Sequence, residues 1–207
     1  GVRALIDQYS HGDGDLDAMA TENLGRQDLS DLAEADLFAR YSEIGLSQRA
    51  IAERLGIDQA TVSRRLALLL LAPEVRESVD DGKLSSADAA VLAGKLPYGP
   101  PRPWQKGRDA AQDTDQRRAE QIEAHRLVVE HKWLASRAPE RVIAEREART
   151  QAADLGIELV DNVAVILGAD YVDHRIASSE HTPDMDVIGA INPNTGMLDL
   201  YRRELAP

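Results

Sequence analysis

LSQRAIAERLGIDQATVSRRLALLLL, residues 46–71, is the stretch from which the fold is read. Ser47 precedes a short helical pattern over residues 48–55, and Gly56 stops it. Glycine suits the positive φ that a sharp turn after Leu55 requires. Asp58 or Gln59 then opens a second helix, expected to run to Leu71 and to end at Pro73. Ile51, Leu55, Ile57, Val62 and Leu66 provide apolar positions that lock the two helices together. Ala52 is small where they must cross closely. Two short helices about a glycine turn make a helix-turn-helix.

The second helix of such a pair presents its N-terminal residues to a major groove. With Val62 and Leu66 facing inward, Gln59, Ala60, Ser63 and Arg64 should face out. Glutamine pairs bidentately with adenine, arginine with guanine, and an alanine methyl meets the thymine methyl. Ser47, Gln48 and Thr61 stand at helix starts, where hydroxyl, amide and backbone N–H groups suit phosphate. Over residues 46–71 Arg49, Arg54, Arg64 and Arg65 outnumber Glu53 and Asp58, so the segment is basic. Ser47, Gln48, Gln59, Ala60, Thr61, Ser63, Arg64 and Arg65 are therefore the candidate DNA-binding residues. A helical hairpin with solvated arginines, or one used for protein docking, is the alternative.

That basic island sits in an acidic chain of 207 residues, with 36 Asp and Glu against 24 Lys and Arg and a net charge of −12. Such a balance argues against nonspecific coating of nucleic acid while leaving room for a localised basic face. Hydrophobic residues make up 43% and aromatic residues 4%, so a core is affordable and is built from Leu, Ala, Val and Ile. No cysteine is present, which removes disulfide scaffolds, thiolate nucleophiles and zinc fingers. The longest apolar run, residues 66–72, is far short of the roughly 18 needed for a membrane span. No signal peptide is apparent, and a cytoplasmic location is expected.

Working outward, Leu32, Ala35, Leu37, Phe38 and Ala39 recur near the helical period, and Gly45 ends that helix. Further short helices fit residues 74–80 and 86–94, the latter with Ser85 as N-cap. Residues 97–103 hold four prolines and mark a boundary. Residues 95–118 carry six basic against three acidic side chains with Tyr98 and Trp104 interleaved. That composition fits an arm tracking DNA phosphate, and fits a solvated linker better. Residues 112–155 should be helical, broken near Pro139. Residues 163–167, 171–176, 186–191 and 197–202 read as strands, with a hairpin turn over 192–196 between the last two.

The expected fold is thus mainly α: a multi-helix, helix-turn-helix domain, a long helical segment and a small α/β C-terminal region. Residues 29–97 form the DNA-binding domain and 98–111 a linker. Residues 112–207 form a helix plus tail that serves dimerisation or a partner. The acidic first 28 residues, which start at Gly1 without Met, read as the remnant of a domain whose upstream part is missing.

Three groups of residues together resemble the ParB partition-protein family (the ParB/KorB type). They are Glu22-Asn23-Leu24-Gly25-Arg26 with Asp28-Leu29-Ser30, the helix-turn-helix, and the continuation LLLLAPEVRESVDDGKLSSADAAVLAGKLP over residues 68–97. The resemblance covers residues 2–97, truncated at the N-terminus. It implies a homodimer binding a palindromic, centromere-like double-stranded DNA site in plasmid or chromosome partition, with a ParA-like ATPase partner and no membrane. It also implies CTP and Mg2+ as cofactors of the full-length protein, held by Glu22, Asn23 and Arg26. Carboxylate and amide oxygens suit magnesium, and guanidinium suits phosphate.

Three departures accompany the likeness, one being that residues 157–207 resemble no dimerisation tail of the family. The family's upstream Gly-Glu-Arg-Arg phosphate segment is absent, so a CTPase needs motifs this chain lacks and no catalytic residue is assigned. Where the family reads Gly-His-Ala-Arg, this sequence has Ala87-Asp88-Ala89-Ala90, neutral or acidic beside the DNA. The rival functions are a plasmid- or phage-type transcriptional repressor on the same fold and a CTP-dependent DNA clamp. His174, His181, Asp184 and Asp186 match no standard metal-ligand spacing, and no metal site is assigned.

Overall fold

The computed structural model describes residues 30–105 and 114–204. The proposed nucleotide residues Glu22, Asn23 and Arg26 lie outside the described residues. Contacts divide the chain into two compact units, residues 1–125 and 126–207.

The described part of the first unit begins with α1 (Asp31–Glu43), started by Ser30, whose Oγ accepts from the Ala33 N–H at 3.2 Å. Ala35, Leu37, Phe38, Ala39 and Tyr41 are buried, and Gly45 turns the chain at φ 94°. Next come α2 (Gln48–Leu55), α3 (Gln59–Leu68), α4 (Pro73–Asp80) and α5 (Ser86–Lys95). The centre of the bundle is α3, which packs on α1, α2 and α5. Phe38, Ile51, Val62, Leu66 and Leu92 are fully enclosed there. Each such side chain contributes about 1.5–3 kcal/mol through the apolar surface it removes from water.

One boundary differs from the sequence expectation. Helix α3 ends at Leu68 rather than Leu71, and Pro73 does not stop it but opens α4. The N–H groups of Leu69, Leu70 and Leu71 bond three residues back, to Leu66, Ala67 and Leu68. The helix therefore tightens into a turn, because Ala72 must be extended (ψ 150°) to precede a proline. Leu69, Leu70 and Leu71 stay buried all the same, which is why the apolar run resembles a longer helix.

Residues 97–105 return along the bundle, with the Tyr98 N–H donating to the Leu70 carbonyl at 2.9 Å. Helix α6 (Asp115–Val129) then closes on it through Gln121, which is fully buried. Its amide oxygen accepts from the Ala72 N–H. Its amide nitrogen donates to the carbonyls of Leu70 (3.0 Å) and Leu96 (2.7 Å). His125 Nε2 lies 2.8 Å from Ser78 Oγ, and Arg118 pairs with Glu74. The two turn segments flanking α4 and α5 are thereby tied to a helix distant in sequence.

In the second unit α7 (Ala138–Asp154) starts with Pro139 in its first turn, where a missing N–H costs nothing. It packs on a four-stranded sheet of order β1-β3-β4-β2: β1 (Glu158–Leu159), β2 (Arg175–Ile176), β3 (Val187–Ile191) and β4 (Leu198–Arg202). Strands β3 and β4 form the expected antiparallel hairpin, Gly189 opposite Leu200, and β1 runs parallel to β3. Asn192 Oδ1 organises the turn by accepting from the N–H groups of Asn194 and Thr195. Gly196 has φ 77°, and a Cβ there would lie 2.2 Å from the Arg141 carbonyl oxygen on α7. Only glycine lets the hairpin meet the helix.

Two expected strands are corrected. Val163–Leu167 is a helix, α8, capped by Asn162 Oδ1 on the Ala164 N–H. Within it Val163 and Leu167, four apart, meet the cluster around Ile188 and Tyr201, while Val165 is 80% exposed. A five-residue apolar run does not separate helix from strand by pattern. Residues 171–176 divide into a 3-10 turn (Tyr171–His174) and the two-residue β2, since only Arg175 and Ile176 pair with β4. Strand β1 has no signal in the sequence, since two residues carry no readable alternation. The chain is thus mainly helical, with a helix-turn-helix and a small C-terminal sheet, and no helix among the described residues is long and apolar enough to cross a membrane.

Candidate nucleic-acid interface

The geometry of the 46–71 segment follows from its caps. Ser47 Oγ accepts from the Ala50 N–H at 3.1 Å and starts α2. Gly56 ends it in the left-handed region (φ 67°, ψ 29°). Open space surrounds Gly56, so the demand for glycine is one of backbone conformation alone. Asp58 is the N-cap of α3, yet its carboxylate makes no capping bond and stays exposed.

One side of α3 is closed, with Val62 and Leu66 at 0% exposure. On the other side Gln59, Ala60, Ser63 and Arg64 are exposed together, as their spacing predicts. They line an open groove of about 700 Å³, walled on its far side by Ala87, Ala90, Val91 and Gly94 of α5. Thr61 is half-buried, and its Oγ1 accepts from Arg64 Nη2 at 3.1 Å, which steadies the guanidinium toward the exposed face. Asp58 and Gln48 reach the same groove.

The remaining candidates divide. Ser47 is exposed with its hydroxyl engaged in the cap, and Gln48 is half-buried beside it. Arg49 is exposed and paired with Glu53 at 2.8 Å. Arg65 turns away from the groove: its guanidinium contacts Asp31 at 2.5 Å and Glu34 at 2.6 Å on α1. Its charge is spent on holding α1 to α3. Asp88, in the departure from the family's basic pattern, bonds the Ser85 hydroxyl at 2.7 Å while its N–H donates to the same oxygen. That carboxylate belongs to the α5 cap, where the helix dipole favours it.

Two contributors escaped the sequence reading. Nothing in the pattern distinguishes Gln121 from the polar residues around it, because its three partners are backbone groups brought near only by folding. Composition fits Trp104 to an arm or, better, a solvated linker and does not give its place: with Pro103 it walls a groove at the start of α2. Among the described residues, no group of three or more His, Cys, Asp or Glu side chains is arranged to hold a metal.

With this face defined, residues 27–97 match the ParB HTH domain family. Those residues, about a third of the chain, are ParB-like.

Among curated relatives, the chromosome-partitioning protein Spo0J of Thermus thermophilus is 38% identical over 77 residues, 37% of this chain and 29% of that protein. The nucleoid occlusion protein of Bacillus subtilis is 40% identical over 92 residues, 44% of this chain and 32% of the relative. The chromosome-partitioning protein ParB of Myxococcus xanthus is 39% identical over 74 residues, 35% and 25% respectively. The chain spans about a third or less of the length of these relatives. The family match ends at residue 97, within the compact unit that continues to residue 125.

Proposed function

We propose that this chain is a sequence-specific DNA-binding protein of the ParB type, acting in plasmid or chromosome partition. The observation that carries the reading is the α3 surface. Gln59, Ala60, Ser63 and Arg64 are exposed on one side of a helix whose other side is fully buried, so the base-reading set is presented on a rigid support. In this reading α3 enters the major groove, with Arg64 on guanine O6 and N7 and Gln59 on adenine. Ser63 bonds whichever edge lies beside it. Ser47, Gln48 and the start of α2 meet phosphate.

The family likeness supports a homodimer on an inverted repeat, since two-fold protein symmetry is mirrored by the operator. It also supports a ParA-like ATPase partner and a working location at the nucleoid or a plasmid. Nucleotide binding through Glu22, Asn23 and Arg26 rests on their motif alone.

An unbiased selection of DNA by purified protein at about 0.15 M salt, where exposed charges are screened beyond a Debye length of about 8 Å, tests the reading. An inverted repeat is expected to be enriched, and Arg64→Ala to lose about 1–3 kcal/mol with relaxed preference at one position per half-site. Failure to enrich any sequence would overturn it. Enriched sites confined to promoters would replace partition by repression.

A further inference from the structure

The first helix of a helix-turn-helix crosses the DNA backbone while the second lies in the groove. Whatever stands beside the start of α2 is therefore set against phosphate when α3 is docked. In this chain that neighbour is the segment of residues 97–105, and three features make it more than a connection.

It is held in place. The Tyr98 N–H is bonded to the Leu70 carbonyl, and the turn at its far end is closed twice. Gln105 N–H donates to the Arg102 carbonyl at 2.9 Å, and Arg102 N–H donates to Gln105 Oε1 at 3.1 Å. It also shares a surface with α2 and α3: Pro103 and Trp104 line one groove with Ser47, Gln48, Arg49 and Gln59.

Its cation is uncommitted among the described residues. Arg102 lies over the Trp104 ring, 6.0 Å from its centroid, and forms no ion pair with any described residue, whereas Arg49 and Arg65 both do. Arg102 Nε and Trp104 Nε1 are enclosed, with no hydrogen-bond partner among the described residues. A guanidinium laid on an indole face is oriented without being neutralised, and the terminal Nη groups, unlike the enclosed Nε, are left for an acceptor.

We infer that residues 97–105 form a second DNA-backbone contact, in which Trp104 orients Arg102 toward a phosphate flanking the base pairs read by α3. The inference rests on the reading of α3 as the DNA-contacting helix. The ligand chemistry is a phosphodiester of duplex DNA, and Arg102 adds affinity without base preference.

The test uses the full chain and its selected operator, measuring affinity from about 0.05 to 0.3 M salt for the parent, Arg102→Ala, Arg102→Lys and Trp104→Ala. Arg102→Ala is expected to weaken operator and random duplex by similar factors of about 3–10. The slope of log affinity against log salt should fall by about one. Arg102→Lys should restore the slope, and Trp104→Ala should weaken both duplexes in the same direction. An unchanged slope in an Arg102→Ala protein with the parent's melting temperature would overturn the inference. Phosphate-ethylation interference with the unaltered protein gives a second measurement, independent of how the variants fold. It should reveal a sensitive phosphate outside the bases that Arg64→Ala affects, and its absence overturns the inference. If an operator is selected and depends on Arg64 but neither signature appears, this inference falls alone. If no operator is selected, the reading of α3 falls with it.

Discussion

Arg65 Nε lies 2.6 Å from Glu34 Oε2, across 31 residues of sequence, and both side chains are about four-fifths buried. The pair, with Asp31, joins the first turn of α1 to the last turn of α3. Arg64, the next residue in the chain, points the opposite way into the exposed groove. Removing Arg65 leaves two largely buried carboxylates facing an empty site. The cost lies between that of an exposed pair and a buried one, about 1–2 kcal/mol. Arg65→Ala should lower the melting temperature by roughly 5–10 °C. Arg64→Ala, measured beside it, should leave the melting temperature within about 2 °C of the parent and lose DNA preference instead. Equal melting losses in the two variants would show that the division of labour is wrong.

Asp58 places an unengaged carboxylate at the mouth of the groove that Gln59 and Arg64 line. Asparagine is as good an N-cap, so Asp58→Asn should alter stability little. It removes a negative charge from the path of the phosphates. Affinity for any duplex at about 0.05 M salt is expected to rise by roughly half an order of magnitude, and the gain to shrink at 0.3 M. A titration of random-sequence duplex measures this. No gain at low salt would mean that phosphates do not approach the start of α3.

Gln121 satisfies backbone groups in two turns at once. In Gln121→Ala the Leu70 carbonyl keeps its bond from the Tyr98 N–H, but the Ala72 N–H and the Leu96 carbonyl lose theirs. Two buried groups left unpaired cost about 2–4 kcal/mol together. Thermal melting should fall by more than about 10 °C. Because these turns hold the positions of α4 and α5, DNA affinity should fall with stability rather than before it. A melting curve superimposable on the parent's would show that α6 is not part of the cooperative bundle.

Glu145, on α7, accepts from Arg141 at 2.7 Å and from Arg149 at 2.8 Å. Partial burial pushes its carboxyl upward, but the hydrogen bonds from Arg149 and Arg141 and their charges outweigh it. The group is held below its ordinary value of 4.5. The unfolded chain therefore takes up this proton first on acidification. The stabilisation is complete above the unfolded value and is lost as pH falls below 4.5 through the folded value. Urea midpoints of the second unit between pH 7 and 3 should decline more steeply below pH 4.5 in the parent than in Glu145→Gln. Parallel declines would assign the acid sensitivity to other carboxylates.

The helix-turn-helix was legible because its determinants are local. Ser47 caps α2 through a hydroxyl three residues from its donor, Gly56 alone suits the turn's φ, and the 3.6-residue period separates Val62 and Leu66 from Gln59, Ser63 and Arg64. The hairpin over residues 192–196 was legible for the same reason. Residues 163–167 and 171–176 were not, since a short apolar segment adopts helix or strand according to what it packs against. For Val163 and Leu167 that is the face of the sheet bearing Ile188 and Tyr201.

Residue order by itself determined where α2, α3 and α5 begin, where α2 ends, and which side of α3 is polar. These outcomes depend on caps, glycine conformation and periodicity within a few residues. Only the tertiary structure decided that Arg65 is bound to α1 while Arg64 is not, that Gln121 closes the turns at Leu70 and Leu96, and that Trp104 stands beside Ser47. Each of those depends on partners tens of residues away, and a charge or an amide has no preference for a partner until packing brings one within hydrogen-bond reach.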